Sequence, residues 1–116
     1  MIFRKGGRQT SKHFYYNGKR VDIENKFNYL GIVFTPGGSF SEAQTTLSGQ
    51  ALKGFFKMIK YLHKFIDLSV SHRLNLFDRL IMPILNYGSE VWGFSSGMSI
   101  ERVHMQFCKQ TIGVKR

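Results

Sequence analysis

The segment Thr35-Pro36-Gly37-Gly38-Ser39 constrains the chain more than any other, because regular structure cannot run through it. Pro36 has no amide donor, two glycines follow, and Ser39 or Ser41 can cap a helix beyond them. The apolar period changes across this break. Before it, apolar residues alternate as in strands; after it, they recur at three- and four-residue intervals. The reading is α+β: a small antiparallel sheet over residues 1–35, then a three-helix bundle over residues 36–116. A chain of 116 residues, 42 % of them hydrophobic, suits one domain's worth of core and leaves no room for two ordinary domains.

Within the first part, His13 to Tyr16 and Lys19 to Asp22 flank Asn17-Gly18. An Asn-Gly pair between two such runs predicts a tight hairpin, since both central residues of a type I′ turn need positive φ. Residues 26–34 read as one further strand. Phe27, Tyr29, Gly31 and Val33 would lie on one face, and Asn28, Leu30, Ile32 and Phe34 on the other. Both faces are largely apolar, so this strand expects material on each side. Ile2-Phe3 is a short apolar start, followed by Gly6-Gly7.

In the second part, Leu52, Phe55, Phe56, Ile59, Leu62 and Ile66 predict one buried helix face. Lys53, Lys57, Lys60 and Lys64 form a narrow row nearly opposite it, at about 100° per residue. Asp67 or Ser69 should cap a second helix carrying Val70, Leu74, Phe77, Leu80, Ile81, Ile84 and Leu85 inward, interrupted at Pro83. Gly88 and Gly93 should loosen the chain. A last helix, capped by Ser99, carries Ile100, Val103, Phe107 and Ile112 and ends near Gly113.

Charge narrows the function. Lysine and arginine total 17 against 7 acids, a net charge of +10, and the first twenty residues hold six basic groups and no acid. Such an excess favours polyanions, nucleic acid foremost and an acidic membrane surface second. Four lysines without an acidic partner at i±4 repel one another, which a merely solvated helix face would avoid; a phosphate backbone would neutralise them. Catalytic and metal constellations are lacking. No paired carboxylates, phosphate-binding Gly-Lys loop or nucleophile–base arrangement stands out, and His104 with Cys108 lacks two further ligands at zinc spacing. Cys108 alone excludes an internal disulfide. Arg4, Lys5 and Arg8 interrupt any signal-peptide core, and the most apolar stretch is too short and too charged to span a membrane. A soluble, intracellular protein without cofactor is expected.

Three blocks, Phe27 to Phe34, Leu76 to Trp92 and Ile100 to Val114, then resemble the reverse transcriptases of non-LTR (LINE-like, jockey-like) retrotransposons. Phe27-Asn28-Tyr29-Leu30-Gly31-Ile32-Val33-Phe34 looks like their primer-grip motif. Leu76-Phe77 through Pro83-Ile84-Leu85-Asn86-Tyr87-Gly88-Ser89-Glu90-Val91-Trp92 is similar to their thumb signature, and Ile100-Glu101-Arg102-Val103-His104 with Phe107 and Ile112-Gly113-Val114 to the helix that follows. Residues 2–7 look like the palm strand after the catalytic turn. The resemblance implies a fragment of an RNA-directed DNA polymerase, begun at a chance methionine, without the palm aspartates that hold Mg²⁺ in the intact enzyme. It implies a palm remnant and primer grip over residues 1–35 and a thumb-like region over 36–116, with Tyr29, Leu30 and Gly31 at the grip. The implied partner is an RNA–DNA or primer–template duplex, held without sequence preference and without polymerisation, beside the missing palm and fingers. The lysine row, Lys53, Lys57, Lys60 and Lys64, is assigned to the duplex from its spacing. Two other readings stand beside this one: an amphipathic basic helix that docks on a membrane surface or partner, and a retroelement relic without selected function. Unpaired sheet edges would leave the isolated chain prone to aggregate.

Overall fold

The computed structural model describes residues 1–6, 11–64 and 68–113. Gly7, Arg8, Ile66, Asp67 and Val114, all used above, lie outside these described residues. The elements are four short strands, β1 (Phe14–Tyr16), β2 (Lys19–Val21), β3 (Phe27–Tyr29) and β4 (Ile32–Phe34), followed by five helices. The helices are α1 (Ser41–Leu62), α2 (Val70–Leu80), α3 (Met82–Leu85), α4 (Ser89–Trp92) and α5 (Met98–Ile112). The architecture is α+β, with two separate two-stranded antiparallel sheets.

The first hairpin forms as its turn dictates. Tyr16 pairs with Lys19 around Asn17 (φ 49°) and Gly18 (φ 73°). All six of its strand residues are exposed. The second hairpin overturns the single strand expected over residues 26–34. Leu30 (φ 49°) and Gly31 (φ 81°) reverse the chain, so Tyr29 pairs with Ile32 and Phe27 with Phe34. The fold-back places Tyr29 and Ile32 on one face, where a continuous strand would have put them on opposite faces, and so accounts for the two apolar faces. Residues 1–4 form no strand; the Arg4 amide donates instead to the Pro36 carbonyl at 2.8 Å.

The Pro-Gly-Gly segment closes a turn, with the Gly38 amide donating to Thr35 O at 3.0 Å and Thr35 Oγ1 to Ser39 O at 2.9 Å. Phe40 then stands at the N-cap of α1 without a side-chain cap bond; the Ser39 hydroxyl meets the Ser41 amide at 3.4 Å. Ser69 caps α2 as expected, accepting from the His72 amide. Helix α2 stops before Pro83, which sits in the first turn of α3, where its missing donor costs no intrahelical bond. Gly97, not Ser99, stands at the N-cap of α5: the Ile100 and Glu101 amides both donate to its carbonyl at 2.9 Å, so the helix begins earlier and Ser99 falls within its first turn. Gly113 ends α5 in the left-handed conformation (φ 76°).

The core lies where α1, α2–α3 and α5 meet. It comprises Ala51, Phe55, Met58, Phe77, Ile81, Leu85, Val103 and Phe107. Phe77 and Phe107 stack at 3.9 Å between centroids, and Phe55 stands edge-on to both, at 6.4 and 6.1 Å. The buried stripe of α1 runs through Leu47, Ala51, Phe55 and Met58, which turns Phe56 outward to 55 % exposure. Val70 and Leu74 are also exposed, because α2 joins the shared core from Leu76 and Phe77 onward; Leu80 is exposed at the last position of α2 and Ile112 at the end of α5, beyond Phe107. β4 packs on α1, with Ile32 buried and Phe34 set between Phe3 and Phe40. The molecule is elongated, 65 × 27 × 24 Å, with a radius of gyration of 19.5 Å.

Truncating Phe107 to alanine should lower the free energy of unfolding by about 3–5 kcal/mol, while Phe56→Ala should change it by under about 1 kcal/mol. Urea unfolding followed by far-UV circular dichroism separates the two.

Candidate nucleic-acid interface

The site is assembled around Tyr87. Pro83 starts α3, Asn86 ends it, and Gly88 in the left-handed region (φ 67°) turns the chain into α4. This compact run holds Tyr87 rigidly: the buried Trp92 donates from Nε1 to the Tyr87 carbonyl at 2.8 Å. The Tyr87 hydroxyl in turn donates to the Leu30 carbonyl at 2.7 Å, joining segments 57 residues apart. Two glycines permit the approach. A Cβ on Gly31 would stand 3.3 Å from Tyr87 Cε1, and one on Gly88 would stand 2.3 Å from Ile32 Cδ1. A Cβ on Gly93 would meet Ser89 O at 2.4 Å. Gly88 and Gly93 therefore tighten the chain where loosening was expected.

Tyr29, Leu30 and Gly31 are all exposed at the tip of the second hairpin. Leu30 and Gly31 share a hollow of about 430 Å³ with Leu47, Gln50, Pro83, Ile84 and Tyr87. Gln50 connects this hollow to the lysine row. At about 100° per residue, Gln50, Lys53, Lys57 and Lys60 fall within one quadrant of α1, so the row continues along the helix from the hairpin tip. Lys53, Lys57 and Lys60 lie on α1 and are exposed; Lys64 lies just past its end, with Nζ 5.6 Å from the Tyr61 ring centroid. None of the four pairs with a carboxylate among the described residues. The ion pair that is present there joins Lys26 and Glu42, tying the base of the second hairpin to the start of α1.

Sequence reasoning identified Tyr29, Leu30, Gly31 and the lysines but not the roles of Tyr87 and Gln50. The signal for Gln50 was its i, i+7 spacing to Lys57; the Tyr87–Leu30 bond left none, since it depends on the turn at Leu30. His104 Nε2 and Cys108 Sγ stand 4.0 Å apart, and no group of three or more potential metal ligands occurs among the described residues. No helix among them is long and apolar enough to cross a membrane.

In comparison with known proteins the chain is similar to transposon-derived sequences. It is 25 % identical over 96 residues to the probable RNA-directed DNA polymerase of the X-element transposon from Drosophila melanogaster, covering 83 % of this chain and 11 % of that protein. It is 42 % identical over 45 residues to a transposon-derived protein of Caenorhabditis elegans, covering 36 % of this chain and 16 % of that one. The chain thus spans less than a fifth of the length of either relative. No protein-family model and no solved structure matches it. The similarity over most of the chain supports an origin related to reverse transcriptases.

Removing the Tyr87 hydroxyl (Tyr87→Phe) should destabilise the fold by about 1 kcal/mol, and Gly88→Ala by more than about 2 kcal/mol, since the latter combines a left-handed backbone with a clash against Ile32. Thermal melts of the two variants beside the parent chain check the order.

Proposed function

We propose that the chain is the primer-grip and thumb region of a retrotransposon reverse transcriptase, and that it holds an RNA–DNA or primer–template duplex without reading its sequence. The observation that carries this reading is the continuity between the hairpin tip and the lysine row on one side of α1. A duplex backbone needs regularly spaced cations on a rigid support, and base identity plays no part in such contacts. The exposed tip at Tyr29, Leu30 and Gly31 can approach a strand end closely, because Gly31 presents no side chain. Residues 1–35 supply the grip and residues 36–116 the thumb. The distant similarity to a transposon polymerase supports the same assignment. On this reading the chain alone holds a duplex without extending it, and Mg²⁺ belongs to the chemistry of an intact polymerase. The amphipathic membrane alternative is disfavoured because α1 already buries its apolar face against α3 and α5.

Binding of the chain to a fluorescent RNA–DNA hybrid should fall steeply with salt, and replacing Lys53, Lys57, Lys60 and Lys64 together by alanine should reduce the log–log slope by about 2–3. A folded chain that fails to bind the hybrid at low salt would overturn the assignment.

A further inference from the structure

The second hairpin leaves two aromatic rings uncovered. Phe27 and Tyr29 stand two residues apart on one face of β3, at 50 % and 58 % exposure. Their partners across the hairpin are Phe34 and Ile32, and residues directly opposite in an antiparallel pair share a face. On that face β4 packs on α1, with Ile32 buried and Phe34 set between Phe3 and Phe40. β3 is the outer strand, and its two rings overhang the contact. They are parallel within 21°, with centroids 6.4 Å apart. The parallel pair Phe77 and Phe107, by contrast, is buried in the core and closes to face contact at 3.9 Å. Among the described residues neither Phe27 nor Tyr29 meets a third ring, so each keeps ring surface free.

Two parallel, half-exposed rings on a rigid strand present one orientation to a planar aromatic ligand. A nucleobase suits them whatever its identity, because every base has a π-face. Position selects which base. Tyr29 adjoins Leu30 and Gly31, which border the hollow shared with Gln50, and the lysine row leads from Gln50 along α1. Phosphates held by that row bring the nucleic acid to the hairpin. Bases inside a duplex already stack on their neighbours, so the base free to use the rings is an unpaired one at a strand end. We infer that Phe27 and Tyr29 form a stacking platform for an unpaired terminal base of the nucleic acid that the lysine row holds. This inference rests on the nucleic-acid reading and deepens it: the lysines contact phosphates, and the two rings add a contact to a base that is independent of its identity.

The test uses the full chain and two RNA–DNA hybrids that differ at one position. One carries a single-nucleotide 2-aminopurine overhang; the other carries an abasic overhang with the same phosphates. The 2-aminopurine hybrid should bind about ten-fold more tightly, and its fluorescence should be quenched on binding. The affinity ratio should stay constant as salt rises, since the two hybrids carry equal charge. The Phe27→Leu/Tyr29→Leu variant should lose both the advantage and the quenching, while binding the abasic hybrid within about two-fold of the parent chain. Equal affinities without quenching, together with steep salt dependence, would overturn this inference alone; if the chain binds neither hybrid, the broader reading fails with it. Equal quenching of free 2-aminopurine riboside at the same concentration would overturn the strand-end assignment. Self-association of the parent chain that the double variant loses would assign the rings to a second copy and overturn the platform. The quenching is read on the unmodified chain, so the outcome does not depend on the variant folding.

Discussion

The bond from the Tyr87 hydroxyl to the Leu30 carbonyl couples the two halves of this molecule. Leu30 adopts a left-handed backbone (φ 49°), which costs a leucine on the order of 1–2 kcal/mol. Its stability comes from outside: Tyr87 binds its carbonyl, Gly31 leaves room for the Tyr87 ring, and Gly88 leaves room for Ile32. The short hairpin is therefore held against the α3–α4 corner. In return it contributes the buried Ile32 and a firm base for the start of α1.

Rigidity at that corner comes from the helical core. Three phenylalanines, one each from α1, α2 and α5, interlock by stacking and edge-on packing, and Pro83 breaks the second helix at the place where α3 must turn toward the hairpin. Trp92 then ties α4 back to Tyr87. Phe107, Ile81 and Leu85 share that core, and Tyr87, two residues beyond Leu85, bonds to the exposed hairpin tip. The first hairpin takes no part in it, with every strand residue exposed, and this contributes to the elongated outline.

Much of this was legible from residues alone. Asn17-Gly18, Ser69, Pro83 and Gly113 act locally, so their turn, cap, break and stop could be read without knowing what surrounds them. The core phenylalanines followed from helical spacing. What escaped the sequence was set by tertiary contact. Nothing in Leu30-Gly31 announces a turn, because a leucine with positive φ is stabilised by a residue 57 positions away. The outward positions of Phe56, Val70, Leu74, Leu80 and Ile112 depend on where neighbouring helices begin and end, which apolar periodicity does not encode. Gly88 and Gly93 looked like loosening elements because glycine marks both freedom and close approach, and only the neighbours tell which. At the candidate interface the lysines were visible as a row, while its link to the hairpin tip through Gln50 required the folded arrangement.

The proposed grip is one surface: a hairpin tip clamped by Tyr87 and continued by lysines along α1. The most direct measurement is amide chemical-shift mapping of an RNA–DNA hybrid on the labelled chain. A single continuous surface requires that Tyr29, Leu30 and Gly31 shift together with amides between residues 50 and 64, at a common binding constant. Shifts confined to α5, or a lysine row that responds while the hairpin tip stays still, would contradict it.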